Sequence, residues 1–284
     1  MKTNWLALCL IICLFGCNQG LLKEVPETIH IPRVTQPYVG VFLCPTAPTI
    51  QVMLSKITPA LGEGYEPDAL SIPDATVQLR DETGRVLLIP YNRDLTYQAK
   101  NTGFIQAGKT YQLLVTTPRG DRLEGACTVP EQNLDATQVR VESLSASTFR
   151  LTWPDVSRQT DYYSMLNRGL IVYKRDSTLN YIEDLTVLTD AVADLNQRIN
   201  SPTLYRVATI PGSTNTFYNS VAICRTDSAY YRYHKSLADQ NVAKENPFAE
   251  PVNLYSNIKG GYGIIAGYVG INVICKGDQI VQIR

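Results

Sequence analysis

Histidine is the side chain used most often as a general base or zinc ligand near neutral pH, and this chain of 284 residues has two, His30 and His234. They lie too far apart for a local zinc-binding motif, and no serine occupies the G-x-S-x-G elbow of a serine hydrolase. A carboxylate pair that hydrolyses glycosides needs no sequence proximity, so that alternative stays open. We predict no catalytic residue, no metal site and no cofactor, and therefore a protein that is not an enzyme.

The first of the chemically relevant cysteines is Cys17, which follows Leu14-Phe15-Gly16. This ending is similar to the bacterial lipobox, in which a cysteine is acylated and becomes the first residue. The apolar residues 5–15 are too few to cross a bilayer core of about 30 Å as a helix, but they suit a signal peptide. We predict a lipoprotein signal peptide over residues 1–16, lipidation of Cys17 and a tether over residues 17–35. An ordinary signal peptide cleaved elsewhere is the alternative.

Four cysteines remain once the signal peptide and Cys17 are set aside: Cys44, Cys127, Cys224 and Cys275. An even number in an oxidising compartment suggests disulfides, and four cysteines allow three connectivities. The domain division predicted below favours Cys44–Cys127 and Cys224–Cys275. Four buried free thiols are the alternative.

The balance of charged residues indicates whether the protein binds nucleic acid. The chain has 26 Lys and Arg against 26 Asp and Glu, so it lacks the excess of basic residues that general nucleic-acid binding needs. We predict no nucleic-acid partner. Most of the seventeen tyrosines fall in the second half, and tyrosine suits both protein interfaces and sheet packing.

The elements that position these residues are mostly short strands. Residues 49–54, 75–79 and 110–116 alternate between apolar and polar, and turn residues such as Gly84 and Gly120 separate them from the next strands. About seven strands over residues 36–130 predict an immunoglobulin-like β-sandwich. Pro130 opens a polar linker.

The second half, residues 137–284, is predicted to be a β-rich domain with two helices. Leu185, Leu188, Val192, Leu195 and Ile199 recur at helical spacing, which predicts the first helix. The second helix is predicted to begin near Asp227. The fold class is thus mainly β: an N-terminal immunoglobulin-like sandwich followed by a β-rich domain with helical insertions.

A C-terminal block carries a family resemblance. Asn246-Pro247-Phe248 is followed by Ser256-Asn257-Ile258-Lys259-Gly260-Gly261-Tyr262-Gly263-Ile264. This block resembles the C-terminal block of a Bacteroidota lipoprotein family, domain of unknown function four-two-four-nine. Residues 72–77, 108–113 and 149–153 also resemble that family, so the similarity spans the mature chain.

The resemblance implies a cell-envelope lipoprotein that works beside a TonB-dependent outer-membrane transporter, as an accessory or ligand-capturing partner. It implies an outer-membrane location with lipid anchoring, and leaves open whether the protein faces the surface or the periplasm. We place partner or ligand contacts in the block, at Asn246, Pro247, Phe248, Asn257, Gly260, Gly261, Tyr262 and Gly263. The alternatives are a structural or adhesive surface module and a surface carbohydrate hydrolase.

Two short motifs in the chain have simpler explanations than the functions they suggest. Gly261-x-Gly263-x-x-Ala266 matches the dinucleotide fingerprint, but the residues after it predict a strand rather than the helix that would bind pyrophosphate. Arg119-Gly120-Asp121 matches an integrin-binding tripeptide, but its position after Pro118 is typical of a hairpin turn.

Overall fold

The structure is a computed structural model that describes residues 36–57, 67–131, 134–155, 160–173, 176–183, 185–194, 197–207, 212, 215–246, 248–250 and 252–283. The predicted signal peptide, Cys17 and the tether lie outside these residues. The strands are β1 (Tyr38–Leu43), β2 (Thr49–Ser55), β3 (Thr76–Asp81), β4 (Val86–Leu88), β5 (Tyr91–Arg93), β6 (Thr96–Lys100), β7 (Thr110–Thr116), β8 (Arg122–Thr128), β9 (Arg140–Ser143), β10 (Thr148–Pro154), β11 (Tyr162–Tyr173), β12 (Asp176–Ile182), β13 (Thr186–Thr189), β14 (Arg198–Asn200), β15 (Leu204–Tyr205), β16 (Thr216–Thr226), β17 (Tyr262–Lys276) and β18 (Gln279–Ile283). The helices are α1 (Pro67–Leu70) and α2 (Ser228–Glu245), with short 3₁₀ turns at Ala136–Gln138 and Asp190–Val192.

The first half folds into a β-sandwich. Its strands alternate buried and exposed residues with a period of two, most regularly in β2, β3 and β7. The sheet β4-β3-β7-β8 encloses one core with β1, β2 and β6 of a larger sheet. The most buried side chains of this core include Val41, Val52, Leu79, Leu113 and Leu123. The predicted mainly β class with an immunoglobulin-like sandwich is confirmed.

The second half forms another layered β structure with its own core. The strands β12-β11-β16-β17 belong to the larger sheet, and the sheet β14-β10-β15, with β9 on β10, is the second layer. Trp153, Phe149 and Tyr163 are fully buried between them, and the Trp153 and Tyr163 rings meet edge to face at 5.6 Å.

Strand β17 connects the two halves in one ten-stranded sheet. Its first part pairs in parallel with β1, from Tyr38↔Tyr262 to Leu43↔Gly267, and its second part pairs antiparallel with β16. Ile265 of β17 lies in the first core and Val273 in the second. The structure thus has two cores, and the first core includes β17 residues from beyond the predicted domain boundary at residues 130–137. All described residues belong to one compact unit.

The two predicted helices have different outcomes. Helix α2 begins after Asp227, as predicted, and its Ala229 and Tyr230 pack on Ile264 and Ala266 of β17. Among the described residues it is the only helix longer than one turn.

The helix predicted over residues 185–199 is wrong. That stretch contains β13, a 3₁₀ turn and β14. The β-branched residues Thr186, Val187 and Thr189 favour a strand, and β13 pairs with β11. Leu188 and Ile199 are buried in the second core from two different strands, so their helical spacing is a coincidence of the two strand positions.

Candidate functional site

The family-like block at residues 256–263 lies along β17 and completes its hydrogen bonding. On the edge of β17 that faces away from β1, side chains bond the backbone where a neighbouring strand would be. The Ser256 hydroxyl accepts a bond from Gly263 N at 3.1 Å. The Asn257 amide accepts from Ile265 N at 3.0 Å and donates to Ile265 O at 2.8 Å. The Asn257 side chain therefore makes the two hydrogen bonds that a residue of a neighbouring strand would make.

Asp227 continues this arrangement at the start of α2. One carboxylate oxygen accepts from Gly267 N at 2.9 Å, and the other caps the helix by accepting from Tyr230 N at 2.8 Å. Burial raises the pKa of Asp227 to about 6, and the backbone N–H bonds oppose that rise. One side chain thus fixes both the helix start and the sheet edge.

The glycines of the block are required by close backbone contacts. Gly263 has φ +130°, and a Cβ atom there would lie 1.7 Å from the Val39 carbonyl oxygen of β1. Gly260 has φ +78°, and its Cβ would lie 1.9 Å from the Arg122 carbonyl oxygen of β8. A Cβ atom at Gly261 would lie 2.6 Å from the Pro37 carbonyl oxygen. These three candidate contact residues therefore have a structural role, because side chains cannot be accommodated there.

The same block ties β17 to β8 of the first sandwich. Lys259 and Glu124 exchange two backbone hydrogen bonds, at 2.7 and 3.0 Å. The Asn257 amide also donates to Ala126 O at 3.3 Å. The sequence predicts a partner contact at Asn257, but the structure uses its amide group in bonds within the fold. The dinucleotide fingerprint likewise opens strand β17 rather than a helix.

Two of the predicted contact residues do present aromatic rings to solvent. Tyr262 is 46% exposed and Phe248 is 95% exposed. Phe248 lies in a turn after α2, where Phe248 N donates to the Asn246 side chain at 3.0 Å and Ala249 N donates to Asn246 O at 3.0 Å. We call these three residues (Asn246, Phe248, Ala249) the Phe248 turn. Pro247 lies outside the described residues.

Aromatic residues of α2 pack against β1. Tyr233 bonds the Tyr38 hydroxyl at 2.9 Å, and His234 stacks on Phe42 with ring centroids 5.3 Å apart. Burial lowers the pKa of His234 to about 4, and among the described residues its buried Nε2 has no hydrogen-bond partner. A neutral imidazole without an orienting carboxylate is suited to packing rather than to proton transfer.

Cys44, Cys127, Cys224 and Cys275 are all free thiols in the structure. Cys224 lies opposite Gly270 in the β16–β17 register, whereas Cys275 lies opposite Asn219. Five residues of strand separate the two positions, or about 17 Å, which is far beyond disulfide reach. The predicted Cys224–Cys275 pair is therefore wrong, and the predicted Cys44–Cys127 bond is not formed.

Thiol chemistry and metal binding have little support at these positions. Burial raises the pKa of Cys224 and of Cys275 to about 11 and that of Cys127 well above its usual value, so the nucleophilic thiolate is disfavoured. Within the described part of the chain, no group of three or more His, Cys, Asp or Glu side chains is placed to hold a metal ion. No helix in this part is long and apolar enough to span a bilayer.

The integrin-like tripeptide forms a closed turn. Arg119 lies 3.3 Å from the carboxylate of Asp121, and the Thr117 hydroxyl donates to that carboxylate at 2.8 Å. Gly120 takes φ +88°, as the hairpin requires. The charged groups of the motif therefore bond each other and Thr117, and they stabilise the hairpin turn.

Comparison with known proteins gives a family without an assigned activity. A family model described as "Domain of unknown function (DUF4249)" matches residues 33–269. No curated protein matches the chain.

Solved structures that resemble the chain do so at low identity. A two-domain fibronectin type-III segment of chicken tenascin is 15% identical, with 67% of this chain and 90% of that one covered and a TM-score of 0.21. The FN1–FN3 domains of chicken CNTN1 are 13% identical, with 86% and 68% covered and a TM-score of 0.29. A pullulanase from Anoxybacillus sp. LM18-11 is 10% identical, with 65% and 24% covered and a TM-score of 0.20.

Proposed function

The chain belongs to the DUF4249 family, and we propose that it is a non-enzymatic lipoprotein of the bacterial outer membrane. In this proposal acylated Cys17 anchors it, and it acts as an accessory or ligand-capturing partner of a TonB-dependent transporter. The observation that carries the proposal is the Phe248 turn, in which two hydrogen bonds restrain the backbone that presents an almost fully exposed phenylalanine.

An exposed phenylalanine on an ordered turn is well suited to binding a protein. Burying one phenylalanine side chain contributes about 1.5–3 kcal/mol, and aromatic anchors are frequent at the energetic centres of interfaces. The Asn246 bonds to Phe248 N and Ala249 N restrict the turn before any partner arrives. Less conformational entropy is then lost on binding.

The chemistry of the described residues supports a binding role over catalysis. His234 is neutral and lacks an acceptor among these residues, and three of the four free thiols have raised pKa values. The Ser256 and Asn257 side chains bond the backbone of β17, and Gly263 lies against the backbone of β1. These residues therefore stabilise the fold rather than offer groups for catalysis.

The partner is tested by affinity purification from membranes in mild detergent. Wild-type protein is expected to recover an outer-membrane barrel of the TonB-dependent class. Phe248→Ala should reduce recovery by about tenfold, which corresponds to about 1.4 kcal/mol. Leu88→Ala is the matched control, because Leu88 is also an exposed apolar residue, at 63%, but lies on β4. Equal recovery with Phe248→Ala, or a wild-type protein that recovers no barrel, contradicts the proposal.

The anchor is tested separately by fractionation. Because acyl chains contribute about 0.8 kcal/mol per buried methylene, a lipidated protein should sediment with membranes. Cys17→Ser is expected to move the protein to the soluble fraction, whereas Cys44→Ser should leave it on the membrane. Wild-type membrane recovery of Cys17→Ser rules out the anchor.

A further inference from the structure

The outer face of the sheet β4-β3-β7-β8 has an unusually regular arrangement of polar side chains. In three adjacent antiparallel strands, the register sets outward residues side by side in three rows. The rows are Arg80, Gln112 and Ala126; Gln78, Leu114 and Glu124; and Thr76, Thr116 and Arg122. Lys259 extends the middle row, because its backbone pairs with Glu124.

Two depressions follow this grid and meet in its middle. One, of about 360 Å³, lies over Leu114 and Ala126 and is walled by Asn257 and Lys259. The other, of about 200 Å³, lies between Gln78 and Arg122. Both are lined by Leu114 and Glu124, so they form one trough (the sheet-face trough). The trough exists because short side chains at Leu114 and Ala126 lie between longer ones.

The polar groups of the trough are available to a ligand. The side chains of Gln78, Arg80, Gln112 and Lys259 form no hydrogen bond or ion pair with any other described residue. The only ion pair within the grid joins Arg122 to Glu124 at 3.4 Å, and both side chains are largely exposed. Three cations against one carboxylate leave the trough with a net charge of +2, which favours an anionic ligand.

The trough does not suit the usual modes of peptide binding. Peptides commonly add a strand to a free sheet edge or fill apolar pockets. Here the backbone groups of β7 are paired with β3 on one side and β8 on the other, so only side chains face the ligand. Amides that both donate and accept are suited to hydroxyl groups, and guanidinium and ammonium groups are suited to carboxylates.

We propose that the sheet-face trough binds a carboxylate-bearing oligosaccharide. Arg80 and Lys259 bind its carboxylates, and Gln78 and Gln112 bind its hydroxyl groups between them. Arg80 and Lys259 are three strands apart at the backbone, about 15 Å, so the ligand spans several sugar units rather than one. This site is independent of the transporter partner and of the Phe248 turn.

The test is calorimetric titration of the full chain, in mild detergent, with trigalacturonic acid. Saturable binding is expected, weakening with added salt as an exposed charge interaction does. Arg80→Ala and Lys259→Ala should each weaken binding by about tenfold, the loss of one charge-assisted contact worth about 1.4 kcal/mol. Arg140→Ala, which removes an exposed arginine from β9 of the second half, should leave binding unchanged.

Two further ligands test separately the role of the cations and the role of the hydroxyl-binding amides. Neutral maltotriose should bind at least about tenfold more weakly, because it lacks the carboxylates. A hexaglutamate peptide should also bind at least about tenfold more weakly, because it lacks the hydroxyl groups that Gln78 and Gln112 bind. Equal binding of maltotriose overturns the role of the cations, and equal binding of the peptide overturns the assignment to a saccharide. Absence of binding to trigalacturonic acid overturns the proposal. Unchanged urea unfolding of each variant shows that a loss of binding is not a loss of folding, because the substituted side chains are exposed.

Discussion

Replacing Asn257 by alanine tests the interpretation that one side chain substitutes for a strand. Asn257 bonds both backbone groups of Ile265, at 3.0 and 2.8 Å, and Ile265 is fully buried. Removing the amide leaves one buried N–H and one buried C=O without a partner. Each unpaired group costs about 1–3 kcal/mol, so Asn257→Ala should lower the free energy of unfolding by about 2–6 kcal/mol. Against a total of roughly 5–15 kcal/mol, that is a large effect.

The assay for this substitution is urea unfolding followed by circular dichroism. Asn253→Ala is the control, because it removes the same kind of side chain from an exposed position four residues earlier, and it should change stability by less than about 0.5 kcal/mol. Amide exchange gives a local readout, since the Ile265 N–H should exchange faster in Asn257→Ala. If Asn257→Ala matches Asn253→Ala within error, the bonds to Ile265 do not stabilise the fold and the reasoning is refuted.

Three other substitutions test neighbouring contacts. Gly263→Ala should prevent folding, because its Cβ would overlap a β1 carbonyl, and the measurement is loss of soluble full-length protein. Gly84→Ala is the control, because Gly84 has open space around it and the substitution should cost only the strain of its positive φ. Asp227→Ala should lower the free energy of unfolding by about 2–4 kcal/mol in urea, through loss of the helix cap and of the acceptor for Gly267 N, and an unchanged midpoint would contradict this. Burial lowers the pKa of His234 from 6.5 to about 4, so His234 takes up a proton at higher pH in the unfolded chain than in the folded one. The stability that neutral His234 contributes should therefore be lost as pH falls from about 6.5 toward 4. His234→Phe should show a smaller loss over that range, and parallel stability curves would contradict it.

Much of the first sandwich was predictable because its signals are local. The alternation in residues 110–116 matches β7, and the turn ending at Gly84 forms with φ +87° and bonds from Thr83 N and Arg85 N to the Asp81 carboxylate. The start of α2 was predictable for the same reason, since Asp227 is a good N-cap before a run without helix breakers.

The misassigned parts depend on contacts between distant residues. The parallel pairing of β1 with β17 joins the two ends of the described chain, and no local pattern specifies it. For the same reason Asn257 was predicted as a partner contact, although its role depends on Ile265 and Ala126. The Cys224–Cys275 pair assumed that cysteines of one domain meet, whereas the register of β16 on β17 keeps them apart.

The candidate site combines residues with local signals and residues without them. The sequence placed Phe248 in a distinctive block, but it could not separate the exposed ring of Phe248 from the glycines that follow, whose backbones lie against β1 and β8. The sheet-face trough carries no sequence signal at all. Its residues are ordinary outward positions of three strands, and only the register brings Arg80, Gln112 and Glu124 onto one surface.

Site-specific photo-cross-linking in living cells tests the central claim most directly. A photoreactive benzophenone amino acid in place of Phe248 puts the probe on the ring that the Phe248 turn presents, and the same probe in place of Leu88 is the control. The proposed function predicts a cross-link from position 248, and not from position 88, to an outer-membrane barrel of the TonB-dependent class. A probe at position 248 that reaches no such barrel in cells carrying the lipidated protein would contradict it.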